Sequence, residues 1–238
     1  MQNERVLIIG GGSGMGLALA RQLLDAGSEV TIAGRSADRL AAAARELGDP
    51  KQLTTSTVDI ADEDGVRDLT AAERDHVVVT AADAAGSYHP IRDFPLADAQ
   101  NVLATKVLGP WLVAKHAAPH LRAGGSITFT SGVAAYRPGP GSSVLATANG
   151  ALESLARTLA IELAPIRVNV VSPGWVDTEI WDTLAGPAKN ERLAAMAAKL
   201  PAGRVGHPDD IAAAFRAAMT NGFMTGTVLH VDGGHRLV

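Results

Sequence analysis

Cysteine is absent from all 238 residues, which excludes disulfides, thiolate metal sites and a cysteine nucleophile together. Aromatic residues make up only 4% of the chain, with two tyrosines and three tryptophans, so any phenol-based chemistry has very few places to reside. No run of like charge occurs: 21 Lys and Arg stand scattered against 25 Asp and Glu, for a net charge of −4. Neither nucleic acid nor a membrane surface is an expected partner of such a chain. Long apolar runs are missing too, with no stretch of about 20 apolar residues. Too few residues precede the first apolar run, Arg5 to Ile9, for a signal peptide. The expectation is a soluble, cytoplasmic chain forming one domain over 1–238, with 47% hydrophobic content sufficient for one sizeable core.

What is present is an alternation of short β-branched runs with longer alanine-rich helical patterns, the mark of βαβ units around a buried parallel sheet. Strands are expected at Arg5 to Ile9, Glu29 to Ala33, Gln52 to Val58, His76 to Thr80, Ser126 to Thr130, Arg167 to Ser172 and Thr227 to Val231. Helix spacing occupies Leu17 to Asp25, Leu40 to Leu47, Ala97 to His120, Leu145 to Leu163 and Asp209 to Thr220. Leu145, Leu152, Leu155, Leu159 and Leu163 recur at three- to seven-residue intervals and make one face of their helix apolar, a stripe that suggests self-association. The stretch 179–206 contains Gly186-Pro187 and Pro201 and reads as a loop with a helical insert. Loops of that length in compact domains tend to serve function.

Directly after the first strand comes Gly10-Gly11-Gly12-Ser13-Gly14-Met15-Gly16, followed at once by helix pattern. Glycines in that place let the backbone turn tightly and approach a pyrophosphate, while the N–H groups and positive end of the helix dipole face the phosphate oxygens. The second strand ends Ala33-Gly34-Arg35-Ser36, where an NAD-selective site places an acid for the ribose 2′-hydroxyl. Arg35 instead offers a planar cationic fork suited to a 2′-phosphate, with Ser13 and Ser36 as hydroxyl donors. NADP(H) is therefore the expected cofactor, ahead of NAD(H).

The spacing Gly10-x-x-x-Gly14-x-Gly16 resembles the short-chain dehydrogenase/reductase family, and the resemblance extends over nearly the whole chain. Val58-Asp59-Ile60 looks like the segment that holds adenine in that family. Arg167-Val168-Asn169 with Ser172-Pro173-Gly174-Trp175-Val176-Asp177-Thr178 looks like its nicotinamide and pyrophosphate stretch, and Gly203-Arg204-Val205-Gly206 with Val231-Asp232-Gly233-Gly234 its usual ending. The resemblance implies a doubly wound α/β fold with a seven-stranded parallel sheet. By position it assigns Gly10, Ser13, Gly14, Met15, Gly16, Arg35, Ser36, Asp59, Ile60, Ala81, Asn149, Pro173, Gly174, Val176 and Thr178 to the cofactor. It implies hydride transfer as the reaction, and dimers or tetramers as the assembly.

The family protonates its product with a Tyr and a Lys four residues later, and that pair is missing. The residues four after Tyr88 and Tyr136 are Arg92 and Pro140, and no lysine lies between Lys115 and Lys189. Alignment on Asn149-Gly150-Ala151 puts Leu145 in the Tyr position and Asn149 in the Lys position. The family's Ser falls on Gly132, one residue after Ser131, its helix Asn falls on Lys106, and Thr80-Ala81-Ala82-Asp83 replaces its Asn-Asn-Ala-Gly. Lys106 and Ser131 are the candidate catalytic groups, since a lysine beside the nicotinamide ribose can donate a proton or polarise an oxyanion; Lys106 can equally reach for solvent. Tyr88, Leu145 and Trp175 are candidate substrate contacts, and Trp175 and Trp181 flank the 179–206 loop. His116 and His120 lie four apart, but no acid stands between them and Pro119 intervenes; no metal is expected. Asp209-Asp210 complements a helix dipole.

These readings point to an NADP(H)-dependent oxidoreductase acting on a small apolar carbonyl, imine or quinone with a rebuilt proton relay. A dinucleotide-binding regulatory protein and a non-redox enzyme on the same scaffold are the alternatives. Losing a general acid forfeits about 10²–10⁴ in rate, which an already electrophilic substrate tolerates.

Overall fold

The computed structural model describes residues 1–81 and 86–238. Its centre is a seven-stranded, all-parallel sheet in the order β3-β2-β1-β4-β5-β6-β7. The strands are β1 (Arg5–Ile9), β2 (Glu29–Gly34), β3 (Leu53–Thr57), β4 (Arg74–Val79), β5 (Leu121–Thr130), β6 (Arg167–Pro173) and β7 (Val228–Val231). Val6, Leu7, Ile8 and Ile9 of β1 are all at most 1% exposed, because a central parallel strand is covered on both faces and has no use for polar alternation.

Helices cover both sides. On one face α1 (Gly14–Asp25), α2 (Ala37–Glu46) and α9 (Pro208–Thr220) pack Leu19, Leu23, Leu40 and Phe215 onto Val6, Ile8 and Ile32. On the other, α3 (Glu63–Thr70), α5 (Gly109–Ala117) and α6 (Ser143–Glu162) pack Val66, Val113 and Leu152 onto Leu7, Val77, Phe129 and Val170. This is the expected doubly wound fold; β1 has the expected bounds, and the other six expected strands are present with shifts at their ends. Among the described residues no helix is long and apolar enough to cross a membrane.

Several local expectations need correction. The helix α3 has no counterpart in the sequence reading. Its eight residues turn only Val66 and Thr70 fully inward, too few apolar positions to show a period among Glu63, Asp64, Arg67 and Asp68. The single helix expected from Ala97 to His120 is instead α4 (Leu96–Leu103), a π-helical turn at Ala104–Leu108, then α5 and a 3₁₀ turn at Ala118–His120. The 179–206 segment holds two helices, α7 (Ile180–Ala185) and α8 (Lys189–Ala197). The leucine stripe of α6 also finds its partner at home. Leu152 and Leu159 are buried in the sheet's own core, with Leu155 and Leu163 packed against it, so the stripe carries no argument for self-association.

Arg167 ties the second layer to the sheet. Buried at the start of β6, its guanidinium donates to the carbonyls of Ala218 at 2.6 Å, Met219 at 2.6 Å and Asn221 at 3.0 Å, the unsatisfied C-terminal carbonyls of α9. Helix α9 in turn packs along α1, so this cap holds the helix behind the glycine turn. Replacing Arg167 with Ala strands several buried carbonyls; denaturant unfolding is expected to show a loss of about 2–4 kcal/mol, with Arg167→Lys recovering only part because one ammonium cannot span the same fork.

Candidate active site

Strand order reverses between β1 and β4, and a cleft of about 780 Å³ opens at the carboxyl ends of the strands there, the usual ligand position in an open parallel sheet. Its floor is the turn from β1 into α1. Gly10 has φ +97°, and a Cβ on it would lie 2.5 Å from the backbone N of Ala81. A Cβ on Gly16 would lie 2.2 Å from the Gly10 carbonyl oxygen. The first residue is needed for its backbone angle and the second for the contact of helix with strand. The Thr80 hydroxyl closes the same corner by donating to the Gly10 carbonyl at 2.9 Å, a role for which the sequence offered no signal. Helix α1 starts at Gly14, three residues earlier than its apolar pattern. Ser13, its N-cap, makes no side-chain cap hydrogen bond and the first turn has no acid, so the N-terminal N–H groups meet the cleft without a competing carboxylate from their own helix.

Of the expected cofactor residues, Gly10, Ser13, Gly14, Met15, Gly16, Arg35, Ser36, Ile60, Ala81 and Thr178 line this cleft. Ser36 has a second task as the N-cap of α2, its Oγ accepting from the Arg39 N–H at 3.2 Å; a capping oxygen still has its own proton to donate. Arg39 lines the cleft beside Arg35, a second guanidinium that the sequence reading missed although it lies four residues on. Glu179, also unforeseen, is the one acid in the lining among the described residues, and its Oε2 would stand 3.5 Å from a Cβ on Gly14.

The remaining expected contacts stand outside the lining, for identifiable reasons. Asp59 is exposed and turns back to accept from the Ala61 N–H at 3.0 Å. Gly174 is a glycine because a Cβ would meet the Asp232 Cα at 2.8 Å, and Pro173 is buried at the end of β6 beside Val231. Val176 is buried, its carbonyl accepting from the Trp181 indole at 2.8 Å. Asn149 is buried with Nδ2 donating to the Gly132 carbonyl at 3.4 Å, while its Oδ1 has no partner among the described residues. Ala82 and Asp83 lie outside the described residues.

Lys106 sits in the π-helical turn and is 6% exposed. The turn is held close to the cleft wall, where a Cβ on Gly109 would meet Ile60 at 2.8 Å, and its neighbour Thr105 lines the cleft. Lys106 Nζ donates to the Thr130 carbonyl at 3.5 Å, at the end of β5. Burial pushes its ammonium down to about 8, and among the described residues no carboxylate is paired with it. It does not reach for solvent.

Ser131 is hydrogen-bonded to a buried acid. It is 4% exposed and its hydroxyl donates to Glu153 Oε1 at 2.9 Å. Tyr136 donates to Glu153 Oε2 at 2.5 Å; burial first, and then Glu153, push the phenol up to about 12, which makes it a poor direct acid. Trp175 stacks on Trp181 at 4.3 Å between ring centroids, Leu145 is half-buried and Tyr88 is 45% exposed. His116 is bonded to Glu63 at 2.9 Å. Asp210 does more than complement a dipole: it accepts from the His207 N–H at 2.7 Å and pairs with Arg204, which holds its carboxyl at about 2.

The family model described as enoyl-(acyl carrier protein) reductase matches residues 10–236. Short-chain dehydrogenase/reductase ATR9 of Stachybotrys chlorohalonatus is 34% identical, covering 98% of this chain and 97% of its own. The chain belongs to the short-chain dehydrogenase/reductase family. Among solved structures, a small-chain dehydrogenase in complex with NADPH superposes with a TM-score of 0.86 at 35% identity, over all of both chains. The MalC reductase/Diels-Alderase of Malbranchea aurantiaca superposes with a TM-score of 0.92 at 32% identity, over 100% of this chain and 98% of that one. This chain is thus a family oxidoreductase scaffold whose acid-base residues have to be read from its own site.

Gly16→Ala tests the turn on which the cleft depends. With a methyl 2.2 Å from a carbonyl oxygen, strand and helix must separate; the variant is expected to lose about 1–3 kcal/mol of stability and its dinucleotide affinity, read by thermal shift with and without NADPH.

Proposed function

We propose that this chain is an NADP(H)-dependent oxidoreductase in which Lys106 supplies the proton that accompanies hydride transfer to a small apolar carbonyl, imine or quinone. The observation that carries the reading is a buried ammonium that bonds to the carbonyl at the end of β5, has no carboxylate partner among the described residues, and follows directly on Thr105 of the cleft lining. When bound, the dinucleotide supplies or accepts the hydride. The α1 N-terminus suits its pyrophosphate, and Arg35 and Arg39, with no acid at the end of β2, suit a 2′-phosphate; a neighbour of the same fold is an NADPH complex. Lys106 then holds a proton where an alkoxide develops and stabilises that charge before transferring it. Leu145 in place of a hydroxyl donor, with Trp175, Trp181 and Tyr88, favours an apolar or aromatic substrate. Homodimer or homotetramer formation is part of this reading, supported by exposed Leu103, Leu108, Trp111 and Ile161 on α4–α6.

A non-redox reading draws support from the MalC neighbour, whose name joins a reductase with a Diels-Alderase. Absorbance of the reduced nicotinamide with a panel of ketones, imines and quinones separates the two: oxidation supports the oxidoreductase, and tight binding without oxidation on any substrate supports the non-redox reading.

Further outcomes are expected. Arg35→Ala raises the Kd for NADPH by about 10–100-fold, the loss of one charge-assisted pair, and leaves NADH nearly unchanged in fluorescence titrations. Reduction requires the Lys106 ammonium, so its rate falls as pH rises through about 8 while oxidation of an alcohol rises. Lys106→Met removes that inflection and lowers the reduction kcat by about 10²–10⁴. Because the folded group titrates below its ordinary 10.5, the unfolded chain binds more protons between about 8 and 10.5. Stability from this group therefore increases with pH across that window, and Lys106→Met is the more stable protein at pH 7.

A further inference from the structure

Glu153 is a buried carboxylate that neither the fold nor the proposed hydride transfer uses. It lies one turn beyond Asn149 on α6, is 4% exposed, and has a hydroxyl on each oxygen: Ser131 at 2.9 Å and Tyr136 at 2.5 Å. The sheet beneath it has a polar row. Thr130 pairs with Val171 and Ser172 with His230, so Ser131, Ser172 and His230 follow one another across β5, β6 and β7. Strand alternation puts them on the face that α6 covers, the face of Phe129, Val170 and Val228.

That row contains unmet hydrogen-bonding needs. Among the described residues Ser172 Oγ and His230 Nδ1, and Asn149 Oδ1 on α6 above them, are buried without partners, which is costly unless water bridges them. One end of the row reaches solvent, since Tyr136, edge-on to His230 at 4.7 Å, is 43% exposed. The other end reaches the candidate proton donor. Three consecutive residues each bind one polar group of the site: the Thr130 carbonyl takes Lys106, the Ser131 hydroxyl takes Glu153, and the Gly132 carbonyl takes Asn149. The groups facing Glu153 are Tyr136, from the loop after β5, and His230 of β7. Arg157 of α6 and Arg236 of the C-terminal turn act on Tyr136, and Arg236 and Asp232 act on His230.

We infer that Tyr136, Glu153 and Ser131, with water held at Asn149 Oδ1, form a proton path from solvent to Lys106 along the α6 face, separate from the cofactor cleft. The inference rests on the reading of Lys106 as the proton donor. Lys106 is 6% exposed and, once a ligand fills the cleft, needs another way to regain the proton it gives up. No electrons move in this path. As a solvent proton reaches the Tyr136 oxygen, the phenol's own proton moves to Glu153 Oε2; the Ser131 hydroxyl, which rests donating to Glu153 Oε1, turns to give its proton through the bridging water to the Lys106 amine and takes the proton held by Glu153 in its place. One proton enters for each one donated.

The path is tested on the whole protein saturated with NADPH, so that the cleft is filled, by ¹⁵N-lysine NMR of the Lys106 ammonium, identified by its absence in Lys106→Met. Exchange of its hydrogens with solvent is expected to slow by about tenfold or more in Glu153→Gln and in Tyr136→Phe, while exposed Lys115 is unaffected. Tyr136→Phe removes only a hydroxyl from a half-exposed ring, so its result does not depend on Glu153→Gln folding. Unchanged Lys106 exchange in Tyr136→Phe overturns the path. In turnover, both variants are expected to lower kcat at constant KM and to raise its solvent isotope effect; equal isotope effects overturn the path as well. Absence of hydride transfer on every substrate in the wild-type protein would instead sink the oxidoreductase reading, and the exchange experiment still decides the path.

Discussion

A side chain on Gly16 has no room, because its Cβ would fall 2.2 Å from the carbonyl of Gly10. This approach of helix to strand is what the cleft depends on. It lets α1 begin directly above the end of β1, so that the helix N-terminus points into the space where the sheet order reverses. Thr80 bonded to Gly10 brings the end of β4 to the same corner, and the α1–α9 packing, anchored by Arg167, holds the helix from behind. The anion-binding end of the site is thus a property of backbone packing, with side chains such as Arg35 and Arg39 added at its rim.

The proton chemistry proposed for Lys106 has a different basis, its separation from the buried side chain of Glu153. Lys106 and Glu153 both lie within reach of the last residues of β5, yet one bonds to Thr130 and the other to Ser131 and Tyr136. A direct ion pair would hold the lysine fully protonated and quench it as a donor near neutral pH. Kept apart from the carboxylate, the ammonium feels burial alone and moves to about 8, into the range where proton donation and recovery are both accessible. The π-helical turn at Ala104–Leu108 is the local device behind this placement, in keeping with the frequent occurrence of such turns at functional sites.

Much of the architecture was legible from the chain alone. Buried parallel strands need near-continuous apolar runs rich in β-branched residues; Val6 to Ile9 and Val77 to Val79 supply them, and Val168 to Val171 does so with only Asn169 interrupting. The glycine turn declared itself by standing between a strand and a helix, and Arg35 by the missing acid at the end of β2. The helix α3 was illegible because too few of its residues face inward, and the break within the Ala97 to His120 pattern was illegible because a π turn hardly disturbs apolar spacing. The α6 leucines announced a buried face without saying that the chain's own sheet would cover it.

The sequence by itself determined the fold, the glycine turn after β1 and the absence of any Tyr followed by Lys four residues later, because these depend on residue type and spacing close along the chain. Only the tertiary structure decided what Lys106, Ser131, Glu153 and Asn149 do. Their neighbours come from π turn, strand end and α6, at separations of 17 to 24 residues along the chain. Whether a lysine is a solvated surface charge or a buried donor depends on what is packed around it, and that packing exists only once the helices have closed on the sheet.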